Sequence, residues 1–387
     1  MTARTGRDGW DGSAPGSRRA PLPVLDSVDN GVHSALVPPG ALHHRVTAAL
    51  SNWQLDDAEE LLADVGTDSS PYVAPAPRDG GRPADLGRAW ADTLRAELLV
   101  RRLRQAGFTL VGDPVEPPSG PGAESALDLH AGVAELIDGA GASEDGDPRA
   151  SSAALAIALV RSAKAAFDAT ADELQRAAGL ARHARIELLS RRTDAAMDEA
   201  VEAASLLGPA MPPSALLVQT LTDLAGVLAD LELMPLALDY QRRAHETAVA
   251  AAAVPGALGW GGDDDSDGAP DVLVARTASG LGELCAELGE ALLDDGDPDA
   301  AQPHFAEARA LAEQALALLP PDAAEAVVAA QVVHGWSLVG LGEHAAAVGP
   351  LRAAVRTTAT GDRGLQAAAL LALGRALRRQ GDGGGAD

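Results

Sequence analysis

A short residue pattern recurs three times near the C-terminal end of this chain, and it constrains the fold more than any other feature of the sequence. In each copy a glycine is followed three residues later by a leucine, and a glycine–acid pair begins four residues after that leucine. The copies occupy residues 288–297, 334–343 and 373–382, at intervals of 46 and 39 residues. Because every internal offset is preserved, the pattern predicts a stack of helical hairpins in which each unit buries its apolar face against the next.

The composition favours an all-α fold. Of the 387 residues, 47% are hydrophobic, mainly alanine, leucine and valine, whereas aromatic residues reach only 3%. Closely packed helices suit such a composition better than an aromatic β-sandwich core does. We therefore predict an all-α solenoid of helical hairpins, preceded by a disordered N-terminal tail.

The charge of the chain argues against two broad classes of partner. The formal net charge is −26, whereas nucleic acids and anionic lipids both demand a basic surface that displaces counterions. We predict no direct nucleic-acid partner and no membrane partner, because no stretch approaches the roughly 20 apolar residues of a membrane helix. Residues 1–40 lack the apolar region of a secretion signal, so the expected location is the cytoplasm.

Shifts in composition divide the chain into five segments. They are a disordered tail at 1–40, an N-terminal helical segment at 41–111, a degenerate helical-repeat region at 123–254, an acidic disordered insertion at 255–271, and regular repeats with a C-terminal capping helix at 272–381. Residues Phe108 to Val111 are the one strand-like run. Thr170 and Glu173 have the spacing of a capping box, so a helix is predicted to start there.

Four arginines in the first part of the chain could form a binding patch or an ordinary solvated helix face. Arg95, Arg101, Arg102 and Arg104 follow the apolar positions of a strong predicted helix. We interpret them as a solvated face and as basic groups that complement the negative end of the helix dipole.

The first clear repeat is predicted to begin near Gly282 and to contain two helices, A and B. Gly289 lets a neighbouring helix approach closely, Gly296 ends helix A, and Asp297 caps helix B. The predicted inner residues are Leu284, Leu288 and Leu292 in helix A, and Ala301, Phe305 and Ala308 in helix B. The second repeat carries Gly335, Leu338, Gly342, Ala347, Leu351 and Ala354, and the third carries Leu373, Gly374, Leu377 and Gly381. The third has no helix B, so its helix is predicted to cap the solenoid.

These units resemble tetratricopeptide repeats, whose pattern of Leu-Gly, a large residue, Gly-Asp and then Ala, aromatic and Ala is met best by residues 288–308. The resemblance covers about 282–380 and extends in weaker form to 216–250. Departures are His334 in place of leucine, the lack of an aromatic residue at the position of Phe305 in the later units, and intervals longer than the 34 residues typical of the family. The resemblance implies a right-handed superhelix whose concave groove, lined by the A helices, holds an extended peptide or a partner helix.

The groove-facing positions of that family can be carried over to this chain. They are Glu283, Glu290 and Asp294 in the first unit, Trp336 in the second, and Arg375, Arg378 and Arg379 in the third. Such a groove would be acidic, then aromatic, then basic, and could orient a partner segment by charge while Trp336 anchors it. The alternative is that Trp336 belongs to the core and the arginines complement the end of a helix.

The motifs that would indicate catalysis or cofactor binding are missing. The sequence has no phosphate-binding loop, no nucleophile elbow and no zinc-protease motif, so we predict no cofactor and no metal. Asp263, Asp265, Asp267 and Gly268 match the start of a calcium loop, but Val274 stands where the bidentate glutamate is required. The sole cysteine, Cys285, excludes an intramolecular disulfide and is interpreted as a small buried hydrophobe.

Three functions remain open at this stage. The first is a non-enzymatic scaffold or adaptor that binds a protein or peptide segment in the groove of its repeats. The second is a regulatory or sensory module of a transcription or signalling system that acts through a protein partner. The third is an all-α enzyme with an unrecognised site in residues 41–207. The sequence does not determine the oligomeric state.

Overall fold

The computed structural model describes three helical residues between 46 and 50, and then residues 55–63, 86–105, 148–253, 270–320, 323–358 and 363–383. Within these ranges there are twelve α-helices and no strand. The helices are α1 Leu55–Ala63, α2 Leu86–Gln105, α3 Pro148–Asp168, α4 Glu173–Leu189, α5 Thr193–Leu206, α6 Ala215–Asp230, α7 Met234–Ala252, α8 Pro270–Asp294, α9 Pro298–Leu318, α10 Ala324–Gly340, α11 His344–Thr357 and α12 Arg363–Gly383. The predicted tail 1–40, the strand-like run Phe108 to Val111 and most of the predicted insertion lie outside the described residues.

The helices pack in chain order as a series of hairpins. The pairs are α2/α3, α4/α5, α6/α7, α8/α9 and α10/α11, and α12 then packs on the last pair. The first helix of each pair also contacts the first helix of the next pair, which is the contact pattern of a solenoid. The predicted all-α stack of hairpins is confirmed, and regular pairing begins as early as α2 and α3, well upstream of the clear sequence pattern. None of the described helices is long and apolar enough to cross a membrane.

Small side chains bring the helices close together. The inner positions predicted in helix B of the first repeat, Ala301, Phe305 and Ala308, are at most 1% exposed. Gly289 is buried against Phe305: a Cβ atom at this glycine would stand 3.0 Å from the ring. Gly335 has the same relation to Leu351 in the second repeat, where an added Cβ would overlap the leucine side chain. The glycines therefore make room for the large residue of helix B.

The predicted ends of the first two A helices are also confirmed. Gly296 and Gly342 have φ angles of +83° and +79°, in the left-handed region that glycine adopts without steric penalty. The Asp297 carboxylate accepts a hydrogen bond of 3.0 Å from the Ala300 N–H and so caps α9. Pro298 follows at the first helical position, where its missing N–H leaves no donor unsatisfied.

The start of the first repeat was predicted too late. Helix α8 begins at Pro270, inside the predicted insertion 255–271 and well before Gly282, and it is 25 residues long. The proline occupies the first turn, where a helix tolerates it. Helix α9 has 21 residues, so long helices explain why the repeat interval exceeds 34 residues.

The third repeat departs from its prediction at its end. Gly381 does not end the helix, because α12 continues to Gly383. Leu377, predicted to be an inner residue, is 41% exposed, whereas its counterpart Leu338 is 3% exposed. The difference arises because helix B of the repeat is what covers this position, and α12 has no such helix packed on it in the described part of the chain.

Two predictions upstream were wrong in detail. Arg101 is 2% exposed and is therefore not part of a solvated face, although Arg102 is half-buried and pairs with Asp56 and Glu59 of α1. Helix α4 does begin at Glu173, but Asp172 rather than Thr170 caps it, by accepting hydrogen bonds from two backbone N–H groups of the first turn.

Candidate functional site

The first helices of the last three repeats place equivalent residues in a row. Glu290, Trp336 and Arg375 each follow the glycine of the recurring pattern, on α8, α10 and α12. Arg375 Nη1 donates a hydrogen bond to Glu290 Oε1, although the two residues are 85 positions apart and α10 stands between their helices. Side chains two repeats apart can meet in this way only if the row of helices curves inwards. This face is therefore concave.

Trp336 lies in the middle of this concave face. Its side chain is partly buried and packs against the main hydrophobic core. Part of the Trp336 side chain is thus in contact with the core, as the alternative interpretation expected, and the rest is accessible to solvent.

Carboxylates are concentrated on α8 next to that pair. Glu283, Glu287 and Glu290 lie one turn apart on one helix face, and the charge of Asp230 at the end of α6 acts on Glu287. Burial, together with the charges of Glu283, Asp230 and Glu290, raises the pKa of Glu287 to about 7. Carboxylates whose pKa is shifted by burial and by neighbouring charges cluster at functional sites, so these residues form a candidate site.

Glu283 is accessible to solvent, yet the protein around it removes enough water to raise the pKa of its carboxyl. Both are consistent with a concave surface, where water reaches a carboxylate without surrounding it.

The row of acidic positions continues upstream to α6, but there the carboxylate is paired with other side chains. Asp223 on α6 occupies the position equivalent to Glu287 and is 8% exposed. Its carboxylate accepts hydrogen bonds from Gln219 Nε2 at 3.1 Å and from Arg182 Nη1 at 3.3 Å. The concave face thus changes from paired charges in the upstream repeats to clustered carboxylates at α8.

A buried ionic network joins α2, α4 and α6, which are the first helices of three consecutive hairpins. Glu97 on α2 is fully buried, and its Oε2 lies 2.7 Å from Arg182 Nε of α4. Arg101 donates to the other oxygen from Nε and Nη2, at 2.9 and 2.8 Å. Burial alone would raise the pKa of Glu97, but the charges of Arg182, Arg101 and Arg185 hold it at about 2. The network fixes α2, α4 and α6 relative to one another.

A second buried cluster lies between α2, α4 and α5. His183 Nε2 is 3.1 Å from Thr93 Oγ1, which itself donates to the Ala89 carbonyl, so the imidazole Nε2–H is the donor. Burial lowers the pKa of His183 to about 3 and raises that of Glu199, 3.9 Å from its Nδ1, to about 7. His183 is 0% exposed, so this neutral imidazole is not open to a substrate.

The remaining predicted groove residues are all exposed. Glu283 lies one turn before Glu287, and Asp294 is the last residue of α8. Arg378 and Arg379 lie one turn beyond Arg375 on α12. The structure therefore brings Glu290 and Arg375 into contact, and within the described part of the chain the other predicted charged groups are exposed to solvent.

Sequence analysis missed Glu287 and Asp230. The signal was present, because Gln219, Asp223 and Asp230 of α6 repeat at one constant offset as Glu283, Glu287 and Asp294 of α8. In the described part of the chain, no three histidine, cysteine or carboxylate side chains are arranged to hold a metal ion. The calcium-like run that begins at Asp263 lies outside that part.

Comparison with known proteins does not identify a family for this chain. No protein-family model matches the sequence, and no curated protein matches it. Among solved structures it is similar to a Rap protein complexed with Competence and Sporulation Factor, with 17% identity and a TM-score of 0.35 over 82% of this chain and 76% of that one. The apo form of RapI gives 10% identity and a TM-score of 0.41 over 88% and 71%. Yeast Tom70 gives 12% identity and a TM-score of 0.17 over 88% and 82%. Likeness of this degree carries no conclusion about what this chain binds.

Proposed function

We propose that this protein is a non-enzymatic, tetratricopeptide-like scaffold or adaptor that binds a basic segment of a partner protein on the concave face formed by α8, α10 and α12. The contact between Arg375 and Glu290 carries the proposal, because it defines a concave surface whose floor is Trp336 and whose rim is charged. Such a surface accommodates an extended segment or a helix of a partner.

The charges of the face favour a basic partner segment. Arg375 is committed to Glu290, which leaves Glu283, Glu287 and Asp230 to repel one another. A lysine or arginine side chain from a partner would relieve that repulsion, and the partly accessible indole of Trp336 would contact its aliphatic part or its cation. The raised pKa of Glu287 agrees with this interpretation: burial is its largest cause, and the negative charges of Glu283, Asp230 and Glu290 raise it further.

The alternative of an enzyme in residues 41–207 receives less support. The central residues of the two titratable clusters described there, Glu97 and His183, are both 0% exposed. A substrate would have no access to either of them. A regulatory role in a transcription or signalling system remains compatible with binding through a protein partner.

A calorimetric titration of the full-length protein with a nine-residue oligo-arginine peptide tests the proposal. The wild type should bind it more tightly at low than at high salt, and the double substitution Glu283→Gln, Glu287→Gln should weaken binding by about tenfold or more. The matched control is Asp198→Asn with Glu246→Gln, which removes the same charge from exposed positions on α5 and α7. Equal weakening by both double substitutions would show that net charge, and not this face, attracts the peptide.

The role of Trp336 is tested separately. Trp336→Ala should lower the affinity for a basic peptide that also carries leucine side chains more than it lowers the affinity for oligo-arginine. Circular dichroism of the variant establishes that the helices remain folded. Unchanged affinity for both peptides would place the indole in the core alone.

A further inference from the structure

The last helix exposes a continuous apolar stripe. Leu370, Leu371 and Leu377 of α12 are 50%, 57% and 41% exposed, and they surround Gly374 at spacings of three and four residues. The opposite face of α12 is buried. Ala369, Ala372 and Ala376 pack against α10 and α11 and are at most 6% exposed. The helix is therefore apolar on both sides, although one side faces solvent.

The equivalent positions in the earlier repeats are covered. Val332 and Leu338 of α10, which correspond to Leu371 and Leu377, are 6% and 3% exposed. The corresponding glycine, Gly335, has Leu351 of α11 packed directly on it, whereas a Cβ atom at Gly374 would meet nothing within 4 Å. In the two preceding repeats the second helix of the hairpin covers this position, whereas no described helix covers it on α12.

The earlier repeats also define the shape of the helix that fits such a stripe. In α9 the residues packed inwards are Ala301, Phe305 and Ala308, and α11 carries alanine, leucine and alanine at the same spacing. The large residue sits on the glycine of the first helix, and the alanines on either side let the two backbones approach.

The charge of the stripe selects the sign of its occupant. Arg378 lies four residues after Gly374 on the same side of α12, and both it and Arg379 are exposed. An acidic helix would pair with them. A second copy of this chain packed through the same stripe would instead bring further arginines to the interface, which disfavours self-association there.

We propose that the exposed stripe of α12, formed by Leu370, Leu371, Gly374, Leu377 and Arg378, binds an acidic amphipathic α-helix of a partner protein. The helix would carry a phenylalanine or leucine with alanine four residues before it and three residues after it. It would complete the open repeat as α9 and α11 complete theirs. Arg378 was predicted as a groove residue and is assigned here to the stripe instead. With that change the stripe shares no residue with the concave face and requires no ligand there.

A helix of this chain supplies a defined probe. A synthetic peptide of residues 297–319 contains Ala301, Phe305 and Ala308, and it has four carboxylate side chains against one arginine. Fluorescently labelled, it should bind the full-length wild-type protein, with an affinity that falls as salt is raised. The peptide with Phe305→Ala should bind at least about tenfold more weakly, because the residue that sits on the glycine is lost.

Substitution of the open glycine provides the decisive variant. Gly374→Trp places an indole where the phenylalanine would insert, and it should weaken peptide binding by at least about tenfold while leaving the thermal melt intact. The matched control is Gly349→Trp, at an exposed glycine of α11 that also has nothing within 4 Å. Arg378→Gln should weaken binding severalfold, and Glu283→Gln with Glu287→Gln should leave it unchanged.

Two results would overturn the proposal. One is equal peptide affinity for the wild type and Gly374→Trp, which would place binding elsewhere, for example by exchange with the protein's own α9. The other is a wild-type dimer in analytical ultracentrifugation that Gly374→Trp abolishes, which would assign the stripe to a second copy of the chain.

Discussion

The ring of Phe305 on α9 lies directly against Gly340, the last residue of α10, where even a methyl group would overlap it. The same ring also covers Gly289 of α8, so one aromatic side chain joins two consecutive repeats. Aromatic residues are scarce in this chain, and at this position one of them is enclosed by glycines on two helices.

This packing predicts opposite effects for the same substitution at equivalent glycines. Gly335→Ala should destabilise the protein by about 1–3 kcal/mol, because its methyl group overlaps Leu351 in a filled core. Gly374→Ala should instead stabilise it by about 0.5–1 kcal/mol, since the methyl group enters open space and alanine favours the helix. Urea unfolding of both variants checks this, and a loss of stability in both would contradict the difference between the repeats.

Removal of one partner from the buried ionic network should be far more costly than removal of a surface pair. Glu97→Gln removes the buried carboxylate charge that Arg182 and Arg101 share, and it should cost about 3–5 kcal/mol. Arg102→Gln on the same helix breaks only exposed pairs and should cost less than about 1 kcal/mol. Equal losses in urea unfolding would show that Glu97 is not the centre of the network.

The Glu97 carboxylate should also make the stability of the folded protein decrease at acid pH. The pKa of Glu97 in the folded protein, about 2, is below its ordinary value of 4.5, so the folded state holds the charged form more strongly than the unfolded state does. Its stabilisation is present above pH 4.5 and is lost as the pH falls towards 2. The melting temperature of the wild type should fall as the pH is lowered from 5 to 2. That of the Glu97→Gln variant should fall less steeply.

Glu287 should have the opposite effect on the pH dependence of stability. Its pKa is raised to about 7, so the folded state keeps a proton that the unfolded state loses above pH 4.5. The stabilisation is present at low pH and is lost as the pH rises through 7. Glu287→Gln should therefore narrow the difference in melting temperature between pH 6 and pH 8, whereas Glu246→Gln at an exposed position of α7 should not.

Cys285 should be unreactive in the folded protein. The thiol is fully buried, and burial with the nearby Glu307 charge raises its pKa to about 12. Labelling by a disulfide reagent at pH 8 should be at least about a hundredfold slower in the native protein than in denaturant. Rapid native labelling would mean that α8 opens locally.

The repeats could be predicted from the sequence wherever the signal is local. Gly296, Asp297 and Pro298 end one helix and begin the next through their own backbone preferences, and the structure has them in these roles. The start of α8 could not be placed, since Pro270 is compatible both with a loop and with the first turn of a helix. Upstream of α6 the hairpins lack the glycine pattern, and only their packing reveals them.

Some residues of the candidate site could be proposed from the sequence, but the contact between them could not. Glu290 and Arg375 were singled out by their positions in the repeat, yet nothing in the sequence predicts that residues 85 positions apart form an ion pair. That contact depends on the curvature of the stack, which sums small rotations between many hairpins. Glu287 was overlooked because its significance lies in the charges that neighbouring helices bring to it.

The order of the hairpins, the turns that end the helices and the small residues at their crossings follow from the sequence by itself, because they depend on backbone geometry over a few residues. Tertiary structure alone decided that Arg101 is buried in an ionic network and that Leu377 is exposed at the end of the stack. A residue is buried only when another helix covers it. Whether such a helix is present depends on elements distant in the chain, and not on the residue's own neighbours in sequence.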